Sequence, residues 1–274
     1  MSRSRVLAVV NQKGGVGKTT TAVNLAASLA ACERRTLLVD LDPQANASSA
    51  FGVVAPARQI YDPLIGTCGI KEVIAPTELA FLRIAPSGRD LVGAEIELVA
   101  LEERERRLER ALADVRSEFE YILIDCPPSL GLLTLNALTA SDFVLIPLQC
   151  EYYALEGLAR LTETIELVKR GLNPTLDLLG IVFTMVDARN SLAHQVMDEV
   201  RGHFGHKAFH TMVPRNIRLS EAPSHGKPIL LYDVRSKGAA SYLRLAEELI
   251  HRLEDPGSAL PSPEDPAATT RSVG

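Results

Sequence analysis

Three features of the chain predict an α/β fold: a doubly wound, mostly parallel sheet with helices on both faces. The candidate strands are continuous apolar runs rather than alternating ones, as expected of strands buried on both sides. They alternate with helical segments along the chain, as βα units require. The first of them, residues 6–10, runs into a glycine-rich turn that opens a helix at Lys18-Thr19-Thr20.

The bulk composition agrees. A chain of 274 residues can bury a sizeable core, and 46% hydrophobic residues with no Trp suit a protein built from Val, Leu, Ile and Ala. The net charge of −5 excludes a globally basic nucleic-acid binder. Cys32, Cys68, Cys126 and Cys150 form no C-x-x-C pair, so neither a metal site nor a disulfide framework is expected. The short N-terminus leads directly into the first strand and reads as no signal peptide. No apolar run reaches 18 residues.

In chain order, the helix from Lys18 carries Val23, Leu25, Ala26 and Leu29, and residues 36–40 are a second strand ending in Asp40. Pro56, Pro63, Gly66, Gly69 and Pro76 break residues 52–76 into short helices and loops. Residues 79–85 read as a strand stopped by Pro86-Ser87-Gly88, and residues 90–118 read as helical. Within them, Glu102 with Arg106 and Glu103 with Arg107 have the spacing of ion pairs on a solvated face. Residues 121–125 form a strand ending in Asp125 and stopped by prolines. Strands at 142–147 and 176–186, helices at 154–170 and 192–204, and a last central strand at 209–213 follow. Residues 236–253 are an amphipathic helix. Residues 1–254 read as one domain, and 255–274, with four prolines and no apolar period, as a disordered tail.

The turn after the first strand carries chemistry. Its glycines let backbone N–H groups converge, and the helix start adds its dipole, so together they make a phosphate cradle. Lys18 is placed to reach β- and γ-phosphates, and the Thr19 hydroxyl to ligate magnesium. The general pattern has glycine five residues before Gly17, where this chain has Gln12, and it adds Lys13 ahead of Gly14-Gly15. Three acids stand at strand ends on the same side, where an open α/β sheet forms its ligand crevice. Asp125 is placed to hold magnesium, Asp40 to support the metal's water shell, and Asp42 to orient a water on the γ-phosphate.

Lys13-Gly14-Gly15-Val16-Gly17-Lys18-Thr19 resembles the deviant Walker A motif of the ParA/MinD ATPases, a branch of the P-loop NTPases. Asp40-Leu41-Asp42-Pro43-Gln44 resembles that family's second motif, and Ile124-Asp125-Cys126-Pro127-Pro128-Ser129 its Walker B. Val213-Pro214-Arg215-Asn216 and the run from Leu219 to Pro228 resemble the ParA/Soj chromosome-partitioning branch, and the likeness spans residues 5–253.

The resemblance implies an ATPase using ATP and Mg²⁺, with Lys13, Lys18 and Asp42 catalytic. Gly14, Gly15, Val16, Gly17, Thr19 and Thr20 would hold phosphates, and Pro214 and Asn216 would meet the adenine. It also implies an ATP-dependent homodimer in which Lys13 crosses to the partner's phosphates, so that nucleotide state becomes dimer state. A ParB/Spo0J-type centromere-binding protein would stimulate hydrolysis. The dimer would bind double-stranded DNA without sequence preference, in the cytoplasm and on the nucleoid, with no membrane involvement.

The chain supports the DNA reading locally. Residues 187–244 hold nine Lys or Arg against five acids, and five of the six histidines. Arg201, Arg218, Lys227, Arg235 and Lys237 are the candidate phosphate contacts, for an affinity of about 10⁻⁴ to 10⁻⁶ M per weak face. Two alternatives stand beside this reading. A MinD-like membrane-recruited cell-division regulator needs the last helix to lie on lipid, yet its polar face carries Glu247 and Glu248. An iron–sulfur carrier on the same fold needs paired cysteines that this chain lacks.

Overall fold

A computed structural model of the chain describes residues 4–187 and 189–254. Seven strands form one sheet in the order β3-β4-β2-β5-β1-β6-β7: β1 Arg5–Val9, β2 Thr36–Asp40, β3 Ala75–Pro76, β4 Leu82–Ala85, β5 Tyr121–Asp125, β6 Phe143–Gln149 and β7 Asp177–Thr184. All pairings are parallel except that of the short edge strand β3 with β4. The central strand β1 sits between β5 and β6, so its carboxyl end opens in the middle of the sheet.

Because side chains alternate along a strand, β1 feeds two cores. Val6 and Ala8 pack into one cluster and Leu7 and Val9 into the other, and all four are fully buried. The first cluster is covered by helices α3 Tyr61–Ile65, α4 Leu91–Glu97, α5 Arg107–Ala113, α6 Leu132–Ala140, α7 Ala154–Gly171 and α8 Ser191–Phe204. The second is covered by α1 Lys18–Ala31, α2 Asn46–Ser49, α9 Ile217–Glu221, α10 Ile229–Tyr232 and α11 Lys237–Glu254. Helix α11 lies against α1, with Tyr242, Leu245, Ala246 and Leu249 buried and the Tyr242 hydroxyl 3.3 Å from that of Thr21. Each such side chain contributes about 1.5–3 kcal/mol, so the apolar stripe of this helix is spent on docking. Ser236 caps it, accepting the N–H of Ala239 at 3.1 Å.

Several expectations change. Residues 209–213 are not a strand, although Phe209 and Val213 donate to the carbonyls of Ile181 and Phe183 on β7. Between those two bonds, His210 and Thr211 give their N–H groups to the Glu248 carboxylate at 2.9 and 2.8 Å, which lifts the segment off the sheet. Glu248 is therefore buried, not part of a polar face, and it also pairs with Arg252 at 2.7 Å. Residues 90–118 are α4 and α5 with single turns between and after them, because Leu101 is extended and Glu103 has a φ of +49°. Consequently Glu103 pairs with Arg110, and Arg106 with Glu109 at 2.8 Å, in place of the expected partners. Helix α6, which carries the chain from β5 back to β6, was not foreseen. The strand expected at 79–85 begins only at Leu82. The tail at 255–274 lies outside the described residues.

Candidate functional site

The turn between β1 and α1 is held open by its neighbours. Gly15 and Gly17 have φ of +75° and +88°, a left-handed conformation that glycine adopts without strain. Nothing lies within 4 Å of where side chains on Gly14 and Gly15 would start, so the loop faces free space. Asn11 donates to the Pro147 carbonyl at 2.7 Å and accepts the Lys13 N–H at 2.9 Å. From the end of β7, the buried Thr184 hydroxyl donates to the Val16 carbonyl at 2.7 Å. These bonds brace the loop from β6 and β7 and fix the Val16 carbonyl and the Lys13 N–H.

Lys18 is buried and donates to the Lys13 carbonyl at 3.0 Å. Burial pushes its pKa down, while Asp125 and Asp42 pull it up. Lys13 points elsewhere: its exposed ammonium pairs with Glu151, just past β6. Tyr152 and Tyr153 follow, both exposed, with their rings edge to face at 5.0 Å.

The three acids differ sharply in surroundings. Asp40 and Asp125 are paired across neighbouring strands β2 and β5, and both are fully buried. Asp40 accepts the N–H and hydroxyl of Ser48 at 2.7 and 2.6 Å and the N–H of Asp42 at 3.2 Å. It thus ties down the loop that carries Asp42. Its pKa is pushed up to about 6, by burial against the lowering effect of those hydrogen bonds. Both oxygens of Asp125 lack a hydrogen-bond partner. Burial and then the Asp40 charge hold this carboxyl well above its usual range, while the Thr19 hydroxyl and Lys18 oppose them. Asp42 is buried, and its carboxylate accepts the Gln44 N–H at 2.9 Å.

An orphaned carboxylate beside a Thr hydroxyl and a buried Lys suits a hydrated divalent cation carried in with phosphates, which needs only one or two protein carboxylates. Among the described residues no three His, Cys, Asp or Glu side chains converge into a metal cage. Magnesium with a nucleotide therefore fits these residues better than a permanent metal does.

Pro214 bridges to Val186 beyond β7, and Asn216 caps α9 by accepting the Arg218 N–H at 2.8 Å. Of the five candidate DNA contacts, Arg201 stands on α8 with its guanidinium 5.4 Å from the Phe183 ring centre. Arg218 is tied to Glu221 at 2.9 Å and Asp233 at 3.6 Å, so its charge is partly offset. Arg235 and Lys237 are exposed near the start of α11, and Lys227 is half-buried. Sequence reasoning missed Asn11, Ser48, Glu151 and Thr184. Each acts through a contact distant in sequence, except Ser48, whose small polar stretch after Asp42 was the only visible signal.

Comparison with known proteins identifies relatives of the chain. A family model described as an AAA domain (AAA_31) matches residues 4–178. The chain is 60% identical over 250 residues to the chromosome partitioning protein ParA of Myxococcus xanthus, covering 90% of this chain and 88% of that one. It is 55% identical over 247 residues to the sporulation initiation inhibitor protein Soj of Bacillus subtilis, covering 89% and 98%. Cobyrinic acid a,c-diamide synthase from Mycobacterium smegmatis, solved with bound ADP and magnesium, superposes with a TM-score of 0.82 at 35% identity. That match covers 94% of this chain and 100% of that one.

Proposed function

We propose, for a chain that belongs to the ParA/Soj family of chromosome-partitioning ATPases, that residues 1–254 hydrolyse ATP with Mg²⁺ as an ATP-bridged homodimer on DNA. The observation that carries the reading is the division of labour between two lysines. Lys18 is buried within its own cradle, whereas Lys13 stands exposed at the rim and turned away from it. A cation so placed can serve a second subunit's phosphates, and it neutralises charge developing in phosphoryl transfer as a finger supplied in trans does.

The backbone N–H groups of residues 14–20 and Lys18 hold the phosphates. Thr19 and Asp125 hold magnesium, which when bound would draw negative charge from the β- and γ-phosphates. Asp42 orients the attacking water, and Asp40 keeps Asp42 in place through Ser48. Pro214 and Asn216 face the adenine. The relative solved with ADP and magnesium supports this ligand pair. Arg201, Arg218, Lys227, Arg235 and Lys237 meet DNA phosphates, and doubling such a weak face by dimerisation makes ATP the switch for DNA residence. A ParB/Spo0J-type protein stimulates hydrolysis and so releases the dimer from the nucleoid. The membrane alternative is disfavoured because the apolar residues of α11 are buried against α1.

Lys13→Ala is expected to bind nucleotide as a monomer, and Asp42→Ala to form a DNA-bound dimer that does not turn over. Light scattering, DNA retardation and phosphate release, with ATP, ADP and no nucleotide, read both. A dimer in the first variant, or normal turnover in the second, rejects the assigned roles.

A further inference from the structure

The amino ends of β2, β4 and β5 border a cavity of about 510 Å³, at the far end of the strands from the phosphate loop. That volume lies in the range of small-molecule sites, about 300–1,000 Å³. Its walls come from separate stretches of chain: Arg35 ahead of β2, Lys71 and Ile74 ahead of β3, Phe81 and Arg83 at the entry to β4, and Phe119 ahead of β5. Backbone bonds fix these walls. Thr36 donates to the Phe81 carbonyl and Glu120 to the Arg35 carbonyl, both at 2.8 Å. The Arg35 side chain donates to the Glu118 carbonyl at 3.1 Å. The cavity is therefore preformed.

Arg83 is its anomaly. Alternation along β4 puts Arg83 on the same face as Ala85, and its register neighbour on β2 is Leu37. Those two are fully buried in the first core, yet Arg83 is exposed, so the face that helices cover further along lies open at this end. The other charges around the cavity are matched. Lys71 pairs with Glu118 at 2.6 Å and also feels Asp114. Glu120 is shared by Arg34 at 3.3 Å and Arg35 at 3.8 Å, and Arg34 pairs with Glu254 as well. Among the described residues no carboxylate pairs with Arg83. The same cavity has an apolar wall: Phe81 is 40% exposed although its backbone is fixed, Ile74 is half-buried and Phe119 is buried.

We infer that this cavity is a second ligand site, for a small planar molecule carrying one carboxylate or phosphate group, its head on Arg83 and its body against Phe81. A guanidinium offers a planar fork that either head accepts in two parallel hydrogen bonds. An exposed aromatic ring on a fixed backbone gives a flat partner its largest contact at little entropic cost. One unpaired cation calls for one negative charge, whereas a polyphosphate would set its surplus charge against Glu118 and Glu120. The site lies about 13 Å from Asp40, from the rise of β2, so its ligand does not compete with a nucleotide at the phosphate loop.

The test titrates the full chain with 8-anilinonaphthalene-1-sulfonate, a fluorescent aromatic monoanion, in saturating Mg²⁺ and ADP. Wild type should show one saturable site. Its Kd should rise at least fivefold in Arg83→Gln and in Phe81→Ala, and less in Arg83→Lys, which keeps the charge and loses the fork. Leu167→Ser, at an exposed apolar position on α7, should leave the Kd unchanged. Should Phe81→Ala fail to fold, Arg83→Gln decides, since this exposed side chain is tied to no described partner. Competition separates the heads: displacement by AMP assigns a phosphate and displacement by indole-3-acetate a carboxylate, and each supports the site. Binding that does not saturate, an unchanged Kd in Arg83→Gln, an equal loss in Leu167→Ser, or displacement by neither competitor overturns it.

Discussion

Replacing Asp125 by Asn should make the nucleotide-free protein more stable while ending magnesium-dependent hydrolysis. Asp125 is fully buried, its oxygens have no partner, and the Asp40 carboxylate is its register neighbour. Both carboxyls have folded pKa values above their unfolded ones, so between those values the folded state holds protons that the unfolded state has released. Stability from these groups is thus greatest below the unfolded pKa and falls as pH rises through the folded one. For Asp40 alone the rise from 3.8 to about 6 corresponds to about 3 kcal/mol lost above pH 6, at about 1.4 kcal/mol per unit. Asn keeps the shape of Asp125 and removes its charge, but leaves a buried amide that costs about 1–3 kcal/mol unless Thr19 serves it. The net expectation is a gain of up to about 2 kcal/mol at pH 8, or up to roughly 4–8 °C in Tm for a chain of this size. Thermal melts at pH 4, 6 and 8 in EDTA read it, and the gain should vanish at pH 4. Magnesium and ATP should raise the Tm of wild type and leave that of Asp125→Asn nearly unmoved. A variant no more stable than wild type at pH 8, or a gain that persists at pH 4, refutes the argument that the site stores an uncompensated charge.

Thr184→Val keeps the side chain's volume but leaves the Val16 carbonyl unpaired. Nucleotide affinity measured by calorimetry should fall about tenfold, given about 1–3 kcal/mol for a buried unpaired group, and Thr184→Ser should restore most of it. Glu248→Gln removes the charge that holds the His210 and Thr211 N–H groups and Arg252. Burial raises the pKa of Glu248, but those bonds outweigh it and the net shift is downward. The variant should lose about 2 kcal/mol, roughly 4–8 °C in Tm, with amide exchange at residues 209–213 rising first.

The parallel sheet and both helical layers were legible because each strand carries its own apolar run and each turn its own breaker residues. Where the expectations failed, a distant contact had intervened. Residues 209–213 have the composition of a strand, but a carboxylate 37 and 38 residues away takes two of their N–H groups. The charged run at 102–110 has helical spacing, but its helix starts only at Arg107. Asp40, expected to support the metal's water shell, also accepts hydrogen bonds from Ser48 and the Asp42 backbone, a role that no local pattern signals.

From sequence alone came the fold class, the phosphate loop with its extra Lys13, and three acids at strand ends, because strand period, glycine turns and a Gly-Lys-Thr helix start are local patterns. Tertiary structure decided which acid is orphaned and which is tied down, and which element braces the loop. It also decided that Lys13 rests on Glu151 and that Arg83 on β4 is left exposed. Those properties belong to pairs of residues far apart in the chain, and burial and hydrogen-bond partners are set only when the sheet brings them together.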